Sequence, residues 1–186
     1  VDLTKNMTSN KDKNKVLMVG RLENQKNYPL AFDFLKIVGS SLGLDIYGSG
    51  SKYSNLKTLS VEENLKVNFF GNTSHVNLMH EFANYNYFLT TSVFEGNPKT
   101  VLEALSNQCI VFASNIPNHK ELIKDGVNGF LFSDVNELVD KFNFIKNNPS
   151  ECEQIRLNCL SSLNNNEIAN VAKLMYEDYR SLVSFK

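Results

Sequence analysis

The feature that most constrains this chain is the alternation of short apolar, β-prone runs with stretches whose apolar residues recur at helical spacing. Runs at Val16–Gly20, Leu44–Gly48, Lys66–Phe70, Tyr87–Thr91, Cys109–Ala113 and Gly129–Phe132 are four or five residues long, the length of buried strands. Between them, Pro29–Leu42, Tyr53–Val61, Val76–Asn84, Pro98–Ser106 and Asn118–Asp125 read as helices. Within the first of these, Leu30, Phe34, Ile37 and Val38 recur at helical spacing. After the last strand the pattern turns helical over Val135–Asn147, Ser150–Leu163 and Ile168–Val183. Parallel strands need a crossover, and a helix supplies it. The pattern therefore predicts an α/β fold, a mostly parallel sheet of about six strands with helices on both faces and a C-terminal helical tail.

In such a sheet the turns leaving the strands share one edge, where ligands bind, so the residues after each strand belong together. They are Gly20 and Arg21 with Lys26, then Gly48-Ser49-Gly50, then Phe70-Gly71-Asn72, then Ser92 to Lys99, then Ser114 to Asn118. Each has an ordinary explanation alone, since a Gly-x-Gly pair usually makes a turn and a lone cation is usually solvated. Their joint occurrence on one edge is the stronger signal for a cleft.

The densest part of that edge is Thr91–Leu105, Thr-Ser-Val-Phe-Glu-Gly-Asn-Pro-Lys-Thr-Val-Leu-Glu-Ala-Leu. Pro98 suits the first position of the following helix, and Asn97 is placed to cap it. The first turn of that helix would aim backbone N–H groups and the positive end of its dipole over the strand ends, an arrangement that holds phosphate. Glu95 and Glu103 could accept hydrogen bonds from hydroxyls. The combination fits a ligand that is part sugar and part phosphate.

Composition excludes other classes. The 186 residues carry 19 Lys+Arg against 20 Asp+Glu, a net charge of -1, so no overall field recruits nucleic acid or an anionic membrane. Cys109, Cys152 and Cys159 form no Cys-x-x-Cys pair, and a cytoplasmic setting is expected. His75, His80 and His119 are scattered, with surface or capping roles expected for the first two, and no metal is expected. No apolar run is long enough to span a bilayer. Any membrane contact is expected through a part outside this chain, at the inner face of the membrane.

Taken together, Val19-Gly20-Arg21-Leu22 with Lys26-Asn27, Gly48-Ser49-Gly50, Val67 to Gly71, Ser92 to Glu95 with Glu103-Ala104-Leu105, and Asn128-Gly129-Phe130-Leu131 resemble the C-terminal, donor-binding domain of retaining glycosyltransferases of the GT-B fold, family 4. The resemblance covers about Val1 to Phe132 and, more loosely, the helical tail. It implies half of a GT-B fold: a linker over residues 1–15, a Rossmann-like donor domain over 16–165, and a C-terminal helix over 166–186 that packs toward an N-terminal acceptor-binding domain. By the same resemblance, Arg21 and Lys26 hold the diphosphate of a UDP-, GDP- or ADP-sugar, with Gly20 and the Gly48–Gly50 loop close to it. Phe70, Gly71 and Asn72 meet the base, and Glu103 takes the ribose hydroxyls. Glu95 takes sugar hydroxyls, while Gly96, Asn97, Pro98, Lys99 and Thr100 form the turn that faces the sugar or phosphate. No cofactor is implied, because the nucleotide-sugar is a substrate and the Asp-x-Asp pair of the other main glycosyltransferase fold is absent. Alone, the chain is expected to transfer little or nothing. The family usually has Gly and Pro where Gln108 and Ile110 stand, and an altered turn away from the ligand edge is the expected consequence. A non-catalytic nucleotide-sugar-binding or regulatory module of the same fold is the alternative, and a phosphorylase or epimerase fits the motifs less well.

Overall fold

The computed structural model describes residues 11–164, so the polar start over 1–10 and the helix expected at Ile168–Val183 lie outside the described residues. Six strands, β1 (Asp12–Val19), β2 (Gly43–Tyr47), β3 (Val67–Gly71), β4 (Tyr85–Thr90), β5 (Ile110–Ser114) and β6 (Phe130–Phe132), form one sheet in the order β3-β2-β1-β4-β5-β6. Every neighbouring pair is parallel. The helices are α1 (Tyr28–Val38), α2 (Tyr53–Glu62), α3 (His75–Asn84), α4 (Lys99–Ser106), α5 (Pro117–Lys120), α6 (Val135–Asn147) and α7 (Pro149–Asn164). A single 3-10 turn at Asn24–Lys26 precedes α1. The expected α/β sheet is found.

Strand alternation splits the core in two. Val16 and Met18 of β1 point to one face with Leu44, Ile46, Tyr87, Leu89 and Phe112, where Phe32, Phe34 and Leu35 of α1, Leu56 of α2 and Phe142 of α6 cover them. Leu17 points to the other face with Phe88 and Val111, under Phe82 of α3, Val101, Ala104 and Leu105 of α4 and Cys159 of α7. Fully burying a side chain of the size of Phe34 or Phe88 stabilises by about 1.5–3 kcal/mol, so both layers are needed to fix the sheet. The order reverses between β1 and β4, and this switch point opens a crevice at the strand ends.

Several boundaries differ from the sequence reading. β1 begins at Asp12, ahead of the expected Val16, and Lys15 pairs with Gly43 and Asp12 with Tyr85. These residues are too polar to read as a buried run, and their extended form comes from the neighbouring strands. Asp45 in β2 is fully buried because Lys15 Nζ (3.0 Å), Asn68 Nδ2 (2.7 Å) and Tyr85 Oη (2.6 Å) all donate to it.

α5 is shorter than the expected Asn118–Asp125, because the Asn128 side chain takes the Lys124 N–H (2.8 Å) and donates to Leu122 O (3.0 Å), groups a longer helix would use itself. Asn97 and Pro98 also behave differently from expectation. Pro98 sits one place ahead of α4, at φ -81 and ψ 62, and its carbonyl accepts from Val101 N (3.0 Å) as a capping residue's does; Asn97 contributes its carbonyl to Lys99 N (2.9 Å), not its side chain. Gln108, at the turn into β5, has φ 54, the left-handed region that glycine enters more easily. The departure from the family therefore lies at a strained turn, at the end of the sheet opposite the strand-end turns.

Candidate functional site

One side of the crevice is backbone packed on backbone. Gly20 N–H donates to Tyr47 O (3.0 Å), Leu22 N–H to Ser49 O (2.9 Å), and Gly48 N–H to Gly71 O (2.7 Å), so the turns after β1, β2 and β3 are laced together. A Cβ on Gly48 would lie 2.0 Å from Gly20 O, and one on Gly50 would lie 2.5 Å from Leu22 O. The sequence reading gave these glycines to a close ligand. The geometry shows that the chain itself needs them.

Next to this floor, Val19, Gly20, Arg21, Tyr47, Gly48, Ser49, Asn72, Thr73 and Leu78 line an open cleft, with Arg21 exposed. Phe70 lies flat on Tyr47, ring centroids 4.6 Å apart and planes within 7°, and is 50% exposed. Tyr47 closes an apolar strand, and nothing in the sequence announces its stack with Phe70. A separate cleft is lined by Glu23, Asn24, Asn27, Tyr28, Lys52 and Asn55 among others, and neither Glu95 nor Glu103 is among its lining residues.

The other side of the crevice is held by side chains. Lys26, following β1, reaches across the switch point to Glu95, following β4, with Nζ to Oε1 at 2.5 Å. Ser92 Oγ donates to the same carboxylate oxygen at 2.6 Å. The loop carrying Glu95 is tied down at both ends: Val93 N–H donates to Gln25 O (2.9 Å), Gln25 Nε2 to Phe94 O (2.9 Å), and Asn118 Nδ2 to Gly96 O (3.0 Å). Beneath it, Ser114 Oγ donates to Ser92 O (2.5 Å), and His119 Nδ1 to Ser114 O (2.8 Å). His119 is fully buried, and desolvation pushes its pKa down, so the neutral ring with its proton on Nδ1 is favoured. Ser114 belongs to the strand-end group expected on this edge, whereas His119 is a support that the sequence did not reveal, because neither spacing nor composition separates a buried His from a surface one. Lys99 N–H is taken by Asn97 O and Pro98 has none. Among the described residues this leaves Gly96, Asn97 and Thr100, of the amides expected to face the ligand, without a protein acceptor.

Glu103, one turn into α4, is paired differently. His75, the first residue of α3, donates from Nε2 to Glu103 Oε1 at 2.9 Å. Burial raises the Glu103 pKa, and His75 and Lys99 act in the opposite sense. His75 and His80 are both exposed, in keeping with the surface or capping roles expected for them, and His75 has in addition a specific partner in Glu103. Thr100 is half-buried beside Lys99. Arg21, Lys26, Glu95 and Glu103 are thereby brought to one rim. Among the described residues, no group of three or more His, Cys, Asp or Glu side chains comes together in the manner of a metal site.

The family model for glycosyl transferases group 1 matches residues 2–159. This chain belongs to that family. It is 30% identical over 129 residues to the poly(glycerol-phosphate) alpha-glucosyltransferase of Bacillus subtilis, covering 67% of this chain and 19% of that protein. It is 33% identical over 124 residues to the lipopolysaccharide 1,6-galactosyltransferase of Salmonella typhimurium, covering 63% of this chain and 34% of that one. Its fold is similar to that of Anabaena HepE, solved in complex with UDP and glucose, with a TM-score of 0.76 at 20% identity, over 90% of this chain and 48% of that chain. The group 1 glycosyltransferase chain described here spans about a fifth to a third of the length of the curated relatives. No helix among its described residues is long and apolar enough to cross a membrane.

Proposed function

We propose that this chain is the nucleotide-sugar donor-binding half of a retaining, family 4 glycosyltransferase that moves a sugar to a glycan or lipid acceptor. The observation that carries the reading is the Lys26–Glu95 pair bridging the switch point beside the glycine-floored cleft and Arg21. Breaking the anomeric C–O bond leaves both electrons on the departing nucleoside diphosphate. Arg21 and Lys26, the latter held by Glu95, stabilise that charge, a role that a divalent ion fills in other transferases, so the reading requires none. Glu95, oriented by Ser92 and Lys26, accepts hydrogen bonds from sugar hydroxyls, with the Gly96 and Asn97 amides beside it. The Tyr47–Phe70 stack and Asn72 border the base, and Glu103 takes the ribose. An N-terminal domain supplies the acceptor site and the group that removes the acceptor proton, and a cytoplasmic, donor-facing location suits the substrate.

UDP-sugars are the first donors to examine, since the HepE structure was solved with UDP. Titration calorimetry of the full-length protein with UDP, GDP, ADP and their sugars tests the reading. Saturable binding of at least one nucleoside diphosphate is expected. Silence with all of them in a folded sample refutes it.

A further inference from the structure

Between the two sides of the crevice stands one contact that the donor-site reading does not use. His75 opens α3 directly after the turn that contributes Asn72 and Thr73 to the cleft, and Ser74 Oγ caps the same helix by accepting from Asn77 N (3.2 Å). That cap fixes the first turn, and with it the place from which the imidazole projects. From there Nε2 reaches Glu103 Oε1 on α4, at 2.9 Å. The helices α3 and α4 also pack against each other, so the pair spans two elements that are already in contact.

We infer that His75 is a positioning residue that holds the Glu103 carboxylate in the orientation and charge state needed to accept both hydroxyls of a nucleotide ribose. This rests on the donor-site reading and deepens it. A carboxylate has about four acceptor positions, and one hydrogen bond to Oε1 leaves room for two hydroxyl donors. Without that bond the side chain has three torsions to order when ligand binds. Burial also favours the protonated acid, which has lost acceptor capacity, and the imidazole N–H opposes this by bonding the charged form. Because His75 directly follows the turn that borders the base and Glu103 lies on the helix that follows the sugar-facing turn, the contact also ties the two ends of the nucleoside pocket together.

The test is a thermodynamic cycle on the full-length protein. Whichever of UDP, GDP or ADP binds the parent is titrated into His75→Ala, His75→Gln and parent, alongside its 2′,3′-dideoxy form. His75→Ala is expected to weaken the ribose-bearing nucleotide about tenfold, the size of one lost charge-assisted hydrogen bond, and the dideoxy form less than about twofold. His75→Gln, which keeps a donor, is expected to recover most of the loss. An equal loss on both nucleotides, or tighter binding by His75→Ala, overturns the inference while leaving the donor site standing. A parent that binds none of the three nucleotides overturns both. The His75 side chain is 46% exposed, and an unchanged Tm of the variants separates positioning from folding.

Discussion

The two sides of the crevice reach similar order by different means. The glycine side, from Gly20 to Gly50, is fixed by main-chain hydrogen bonds and by approaches that leave no space for a Cβ. The acidic side, from Ser92 to Glu103, is fixed by side chains from three places in the sequence: Lys26, His75, and the stretch that holds Ser114, Asn118 and His119. In the first kind of wall Gly48 and Gly50 admit no side chain, because a Cβ would meet backbone, and the chemistry rests on Arg21, exposed beside them. The second can be retuned one side chain at a time, and Phe94, 62% exposed on the same loop, shows that parts of it are not packed at all. A glycine-rich turn in a sequence is thus poor evidence of ligand contact here, whereas a lysine that finds its carboxylate 69 positions away is better evidence.

The harshest way to break this contrast is Gly48→Ala. The added methyl meets backbone, which cannot move aside, so a destabilisation of about 3 kcal/mol is expected, at the upper end of overpacking costs. That corresponds to a fall in Tm of roughly 6 to 12 °C by calorimetry for a domain of this size. An unchanged Tm would show that the floor is softer than its geometry.

Next in size are the cations. Arg21→Ala or Lys26→Ala is expected to weaken nucleoside diphosphate binding by about 1.5–3 kcal/mol with a smaller effect on Tm, the reverse of the glycine change. Calorimetric affinities equal to the parent's would remove both residues from the site.

The carboxylates sharpen the comparison further. Glu103→Ala is expected to weaken the bare nucleoside diphosphate, whereas Glu95→Ala is expected to spare it and weaken the intact sugar donor. Competition titration reads the difference, and identical profiles would count against separate ribose and sugar roles.

The smallest effect is a pH dependence. Burial raises the Glu103 pKa above its unfolded value, so this group's contribution to stability is fully present below the ordinary carboxyl range and is lost as pH rises through its folded pKa. Glu103→Gln is therefore expected to raise Tm slightly near neutral pH, with the gain fading in acid. Thermal scans across pH check this, and a gain that grows in acid would reverse the sign.

Much of the fold was legible before any coordinates. Six apolar runs became six strands, and most helix ends fell within a few residues of their expected places. The exceptions share a cause. Asp12 to Lys15 are extended because Tyr85 and Gly43 lie beside them, and α5 stops early because Asn128 takes its hydrogen bonds. In each case a distant partner overrode the local signal. The site shows the same division. Arg21, Lys26, Glu95 and Glu103 could be named from the strand-end pattern, while the partners of Tyr47, His75, Ser114 and His119 could not.

By itself, the sequence determined the alternation of elements, and with it the parallel sheet and the edge on which its turns collect, because hydrophobic periodicity and turn residues act over a few neighbours. Only the tertiary structure decided who pairs with whom on that edge: Lys26 with Glu95, His75 with Glu103, Gly48 against Gly20. Those choices depend on strand order and on distances of a few ångströms between residues far apart in the chain, and local propensity carries no information about either.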